Sequence, residues 1–328
     1  MTPAIETIEL TKDYKVGFWR PRPYRALDRL TLAVEPGEVF GFLGPNGAGK
    51  TTTLKLLMQL VFPTSGRAAI LGQPLGDLEV RRRIGYLPEN PYFYDNLTAE
   101  EVLTYFASLF GYSPADCRAR AGRLLDEVGL GAERRLQLRK FSKGMIQRVG
   151  LAQTLINDPE VVFLDEPMSG LDPLGRRDVR ALILRLRDAG RTVFFSSHIL
   201  SDAETLCSRI AIVAKGRLMA SGTLTDLVTA QLKGWEIILD GLPQAPSAAH
   251  PGVRAVTTIA PGRYAVDALP AEDPLRLAQE LAGVSGRLVS ITQVQDTLED
   301  LFVRQVDHAS GTDRFAAPTP AAAAGDAR

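Results

Sequence analysis

Cysteine is scarce: Cys117 and Cys207 are the two in 328 residues. They stand far apart, so they offer neither a disulfide framework nor a zinc pattern, and they read as buried small hydrophobes in a reducing cytoplasm. Net charge is absent as well, because 38 Lys and Arg balance 38 Asp and Glu. Without an overall basic field, no nucleic-acid partner is expected, and a nucleic-acid binder would have to rely on local patches. Long apolar runs are missing too. No window of ~18 uninterrupted apolar residues occurs, which predicts that this chain does not span a membrane by itself. Residues 1–7 lack a basic stretch followed by an apolar run, so no secretory signal is expected and the protein should stay inside the cell. What is present is length: at ~100 to 200 residues per domain, the chain holds about two domains, each able to bury a core.

Strand-like β-branched and aromatic runs occupy Ile5 to Leu10, Leu30 to Val34, Val39 to Leu43, Ala68 to Leu71 and Ile84 to Leu87. An apolar-periodic segment from Lys50 to Leu60 follows a glycine loop and reads as a helix. From Thr98 to Val128 the period turns helical, with a capping-box-like start at Thr98 and a second helix starting at Ser113-Pro114, so about residues 91–158 form a helical insertion. Strand patterns return at Val161 to Leu164, Thr192 to Ser196 and Arg209 to Val213. The expected fold class is therefore α/β with a mainly parallel sheet over residues 4–222. Residues 223–306 read as a small α+β module, with strands near Trp235 to Leu239, Tyr264 to Asp267 and Leu288 to Ile291, and residues 307–328 as a disordered tail.

The strongest chemical signal is Gly44-Pro45-Asn46-Gly47-Ala48-Gly49-Lys50-Thr51, followed by Thr52, between a strand and a helix. It fits G-x-x-x-x-G-K-[ST], a loop that wraps a phosphate with backbone N–H groups. Glycine is needed there because the backbone must approach closely in conformations that a Cβ forbids. The helix start adds its positive dipole end, Lys50 a point charge for the β and γ phosphates, and Thr51 a hydroxyl for Mg²⁺. A second element is the apolar run Val161 to Leu164 ending in Asp165 and Glu166. At the C-terminal end of a buried strand, Asp165 is placed to hold magnesium and Glu166 to orient and polarise a water attacking the γ phosphate.

Three further segments narrow the class: Phe141-Ser142-Lys143-Gly144-Met145 ahead of a helix, Ser169-Gly-Leu-Asp172, and His198. In this order the motifs resemble the ATP-binding cassette family over roughly residues 4–222, with Phe141 to Met145 as the signature, Ser169 to Asp172 as D-loop and His198 as switch histidine. The expectation is a P-loop NTPase of the ABC ATPase fold that binds and hydrolyses ATP with Mg²⁺. The resemblance also implies a head-to-tail dimer with a second copy of the chain, in which Ser142, Lys143 and Gly144 of one copy face ATP held by the other. It further implies that Tyr14 stacks on adenine and that His198 senses the γ phosphate.

Two departures stand out. Glu89, in Gly85-Tyr-Leu-Pro-Glu89, replaces the usual Gln and brings a second carboxylate to the metal and the lytic water; Lys143 and Met145 replace a glycine and a glutamine. These details, with the module ending in Leu298-Glu-Asp-Leu-Phe302, are similar to ATPase subunits of bacterial type-2 ABC exporters. That likeness implies a separate integral membrane permease as partner and a peripheral location on the cytoplasmic face of the cell membrane. Two other readings stay open: a soluble ABC ATPase acting on a ribosome or nucleic-acid complex, and a regulatory module that does not hydrolyse ATP. The basic, aromatic segment Trp19 to Arg25 reads as a surface loop that its prolines interrupt, with lipid headgroups or nucleic acid as its conceivable contacts. Residues 176–191 read as a solvated helix face.

Overall fold

Val39–Leu43 is buried along its whole length, as an uninterrupted apolar strand must be when helices cover both faces of its sheet. In the computed structural model, which describes residues 2–17, 19, 22–227, 232–283, 285–295 and 297–310, it lies inside a six-stranded sheet. The order across that sheet is Arg217–Thr223, Arg209–Ala214, Val39–Leu43, Thr192–Ser197, Val161–Asp165 and Ile84–Leu87. All neighbours pair in parallel except the first two, which are antiparallel. Phe194 anchors the centre, with ring centroids 5.7 Å from Phe40, 5.3 Å from Phe42 and 5.8 Å from Phe163. Each of these fully buried side chains contributes about 1.5–3 kcal/mol by leaving water.

A second, antiparallel sheet pairs Arg22–Val34 with Ile5–Val16, and Ile5–Val16 with Ser65–Ile70. Here the structure corrects a sequence expectation. The segment read as a surface loop enters a strand at Arg22, and Pro23 sits opposite Lys15. Proline is tolerated because Arg22–Val34 is an edge strand, where a missing N–H costs no ladder bond. The hairpin is correspondingly longer than the Ile5 to Leu10 and Leu30 to Val34 runs alone indicated.

The helix after the glycine loop spans Lys50–Leu57, stopping short of Leu60; Gln59 adopts a left-handed φ of 54° that no helix continues through. Between the strands Ile84–Leu87 and Val161–Asp165 lie the helices Ala99–Leu109, Pro114–Glu127 and Lys143–Thr154. Thr98 and Glu101 close a reciprocal capping box, and Ser113 caps a helix whose first residue is Pro114. The helix Pro173–Asp188 is less uniformly solvated than its charge pattern predicts, because Arg180 pairs with the buried Asp202.

The described residues divide into two compact units, the first running to Leu224 and taking in the residues from Phe302 onward, the second Thr225–Leu301. The second has its own antiparallel sheet, ordered Val253–Ala260, Arg263–Ala268, Leu232–Asp240 and Arg287–Gln295, and the helix Pro274–Ala282. Ile237, Leu239, Val266 and Leu277 form its core. The helix Leu298–Ser310 runs past residue 306, where order was expected to end, while residues 311–328 lie outside the described ones.

Candidate functional site

Sequence first places the cleft's floor. The three glycines of Gly44 to Gly49 let the chain turn from strand to helix within six residues. Gly49 has φ 106°, and a Cβ there would stand 2.7 Å from the Ala26 carbonyl oxygen. Gly47 has φ 78°, and a Cβ there would meet nothing within 4 Å, so its open side faces the cleft that a ligand can fill. Gly49 is also the N-cap of Lys50–Leu57 and supplies no side-chain cap, so the first N–H groups of that helix keep their capacity for an anion.

Lys50 is buried, with Nζ donating to the carbonyl oxygens of Gly44 (2.7 Å) and Pro45 (3.3 Å) and standing 3.3 Å from Glu166 Oε1. The other Glu166 oxygen, Oε2, lies 2.8 Å from His198 Nδ1. One carboxylate thus bridges the phosphate-loop cation and the histidine. Its backbone is unusual: Glu166 has a left-handed φ of 49°, a strained conformation for a residue with a side chain. The strain is held by Ser196, whose carbonyl and hydroxyl oxygens accept from Glu166 N at 3.2 and 3.1 Å.

The Ser196 hydroxyl donates to Asp165 Oδ1 at 2.6 Å, whereas Asp165 Oδ2 is buried without a hydrogen-bond partner. Burial pushes the Asp165 carboxyl above its ordinary value; the Ser196 and Thr51 hydroxyls pull it down, the Glu166 charge pushes it up, and the Lys50 ammonium lowers it. Burial, reinforced by the charges of Asp165 and Glu89, also pushes the Tyr86 hydroxyl up to about 12. No group of three or more His, Cys, Asp or Glu side chains that could hold a metal occurs among the described residues. An orphaned buried carboxylate oxygen beside a threonine hydroxyl nevertheless suits Mg²⁺, which is held by one or two carboxylates together with substrate phosphates rather than by an all-protein cage.

These groups open on a cleft of about 470 Å³ lined by Tyr14, Asn46 to Thr52, Glu89, Glu166, Ser169 and His198. Ser142, Lys143 and Gly144 are not among its walls. They begin the helix Lys143–Thr154, capped by the Ser142 hydroxyl, which accepts from Met145 N at 3.3 Å. The Lys143 side chain lies over Gly170, with Nζ 2.8 Å from where a Cβ would stand. Sequence reasoning missed Tyr24 and Ala26, which also line the cleft. Tyr24 pairs across the hairpin with Tyr14. Alternation with Ala26 was the available signal, hidden by the prolines around it.

The sequence profile described as ABC transporter matches residues 27–169. An uncharacterized ABC transporter ATP-binding protein, sll0415 of Synechocystis sp., is 46% identical over 306 residues, covering 92% of this chain and 84% of that protein. The chain belongs to the ABC transporter ATP-binding proteins. The bacitracin transport ATP-binding protein BcrA of Bacillus licheniformis is 41% identical over 222 residues, 67% of this chain and 69% of that protein. Among solved structures, the ATP-binding cassette MJ0796, a dimer in a post-hydrolysis state bound to ADP and Pi, aligns at TM-score 0.62 and 27% identity over 67% of this chain and 98% of that chain. As a member of this family the protein is an ATPase subunit that binds and hydrolyses ATP to power an ABC transporter. ATP-binding subunits of this kind dimerise and pair with membrane components. No helix among the described residues is long and apolar enough to cross a membrane.

Proposed function

We propose that this ATPase drives a bacterial type-2 exporter by closing head-to-tail on a second copy of itself around two ATP molecules. The observation that carries the reading is the linked set Lys50, Glu166 and His198 around one cleft, with Asp165 behind it. Tyr14 offers its ring face to adenine, since stacking needs only a π surface. The N–H groups of the phosphate loop and the Lys50 ammonium take the β and γ phosphates. Thr51, Asp165 and Glu89 would hold Mg²⁺, which supplies positive charge to the phosphoryl oxygens as negative charge shifts towards the leaving group. Glu166 accepts a hydrogen bond from the attacking water and takes its proton as the oxygen reaches the γ phosphorus in line with departing ADP. His198 hydrogen-bonds the γ phosphoryl group and loses that contact when phosphate leaves.

Ser142 and Gly144 of the second copy bring another helix start to the same phosphate, so nucleotide becomes part of the interface. The motion passes to a separate membrane permease, and the chain sits at the cytoplasmic face through that partner. An aromatic groove of about 320 Å³, lined by Tyr86, Tyr92, Phe93, Phe106 and Phe110 and by Pro88 and Pro91, which flank Glu89 in sequence, suits a permease segment. Its Tyr92 is 88% exposed, an unusual position for a large ring that has no partner to meet.

The test is affinity purification of the chain, tagged at Met1, from detergent-solubilised membranes at native expression, with mass spectrometry of the proteins that co-purify. An integral membrane protein recovered in stoichiometric amount supports the exporter reading, and Tyr92→Asp should release it. Recovery of the chain with ribosomes, or with no membrane protein, overturns the permease assignment while leaving the ATPase standing.

A further inference from the structure

The hairpin formed by Ile5–Val16 and Arg22–Val34 continues beyond the nucleotide cleft, and its outer end carries a distinct chemistry. Tyr14 and Tyr24 make one cross-strand pair, with Lys15 opposite Pro23 and Val16 opposite Arg22 on the next two rungs. Tyr14 and Tyr24 line the cleft. Beyond them Lys15, Val16, Arg22 and Pro23 are exposed, Val16 at 57%, and Trp19 is 91% exposed. A tryptophan this open to water gains when it meets an interface that takes its ring and leaves its N–H wet.

Charge at this end is one-sided although the chain is neutral overall. Between Asp13 and Asp28 the sequence has Lys15, Arg20, Arg22 and Arg25 and no acid. Arg25 is already committed: its guanidinium reaches Asp13 at 2.9 Å and Asp28 at 3.2 Å. Lys15 and Arg22 make no ion pair among the described residues, and the side chains opposite them are Pro23 and Val16. Two uncompensated cations flanking a valine and a tryptophan match an anionic headgroup layer above an apolar one.

We infer that the end of this hairpin, Lys15, Val16, Trp19 and Arg22, contacts the anionic lipid surface of the membrane directly. Single-stranded nucleic acid fits less well, because it needs successive aromatic platforms and the two tyrosines nearest the tip face the nucleotide cleft. The contact adds a protein–lipid attachment to the permease attachment proposed above and depends on no residue of the ATP site. It also stands one rung from the Tyr14–Tyr24 pair, so a lipid surface holding the tip holds the wall against which adenine rests.

The experiment is flotation of the purified full chain with vesicles of phosphatidylcholine, alone or with about 30 mol % phosphatidylglycerol, at low and high salt. Binding should be about tenfold stronger with the anionic lipid and should fade with salt, since each basic side chain near such a surface acts through screened attraction. In a Trp235→Phe background, which leaves Trp19 as the one tryptophan, emission should shift to the blue on the anionic vesicles alone. Lys15→Glu with Arg22→Glu should reduce binding to the level of neutral vesicles, and the milder Lys15→Gln with Arg22→Gln should fall between while keeping ATP hydrolysis. Equal binding to both vesicles, or undiminished binding by the charge-reversed chain, overturns the inference. So does capture of a single-stranded oligonucleotide with no vesicle binding, which would assign the tip to nucleic acid. Loss of permease recovery with vesicle binding intact strikes the exporter reading and leaves this one standing.

Discussion

Two helices of the first unit start beside chemistry, and they start differently. Lys50–Leu57 follows Gly49, a left-handed residue that offers no side-chain cap, whereas Lys143–Thr154 follows Ser142, whose hydroxyl already accepts from Met145 N. The lysines differ in the same sense. Lys50 is 6% exposed and points inward to two carbonyls and Glu166; Lys143 is exposed and drapes over Gly170. An uncapped start with an inward cation is built to receive an anion in its own chain. A start that caps itself is stable without one, and so is free to meet its anion late, from another molecule. On the function proposed above, the first start serves nucleotide loading and the second serves dimer closure.

The sharpest way to break it is Lys50→Ala, which should lower ATP hydrolysis about a thousandfold and weaken binding in the monomer, read by phosphate release and nucleotide titration. Next, Glu166→Gln should cut hydrolysis about a hundredfold or more while ATP still binds, so that ATP-loaded dimers accumulate in light scattering. Undiminished turnover would remove Glu166 from water activation. The glycines give a finer contrast. Gly47→Ala puts a methyl into the cleft at a left-handed position and should weaken ATP binding by the monomer about tenfold, with a strain cost of about 1–2 kcal/mol. Gly144→Ala, whose methyl would touch Leu171 Cδ2 at 3.4 Å, should leave monomer affinity unchanged and impair only ATP-driven dimerisation. Equal losses in the two monomers would erase the distinction. The smallest effect belongs to Ser142→Ala, where losing the cap should cost about 1 kcal/mol and lower Tm by about 2–4 °C in thermal denaturation.

Much of the site could be read from sequence because its determinants are local. Glycine spacing sets the loop at Gly44 to Gly49, and an apolar run delivers Asp165 and Glu166 to a strand end; neither needs knowledge of the sheet. Capping at Thr98 and Ser113 is local for the same reason. What escaped was long-range or two-sided. The order of the six strands joins segments more than 100 residues apart. Tyr24 became a wall of the cleft only through its register with Tyr14, and prolines disguised the strand that carries it. Val253–Ala260 was missed because an edge strand exposed on most of its length shows no clean alternation. The fold of Lys143 onto Gly170 is a side-chain contact between a helix start and a separate loop, and no spacing rule encodes it.

Ser196 has a consequence beyond chemistry. Its hydroxyl donates to Asp165 Oδ1 and accepts from Glu166 N, while its carbonyl accepts from the same N–H. All three bonds need Ser196 beside Asp165 and none survives a slip of one residue between Thr192–Ser197 and Val161–Asp165. Parallel strands far apart in sequence assemble slowly and are open to pairing errors on the way. A slipped pairing would take the Ser196 hydroxyl from the buried Asp165 and release the backbone N–H of Glu166 from both of its acceptors. The serine thus ties the register of these two strands to the placement of both site carboxylates, so that alignment of the sheet and assembly of the site are one condition.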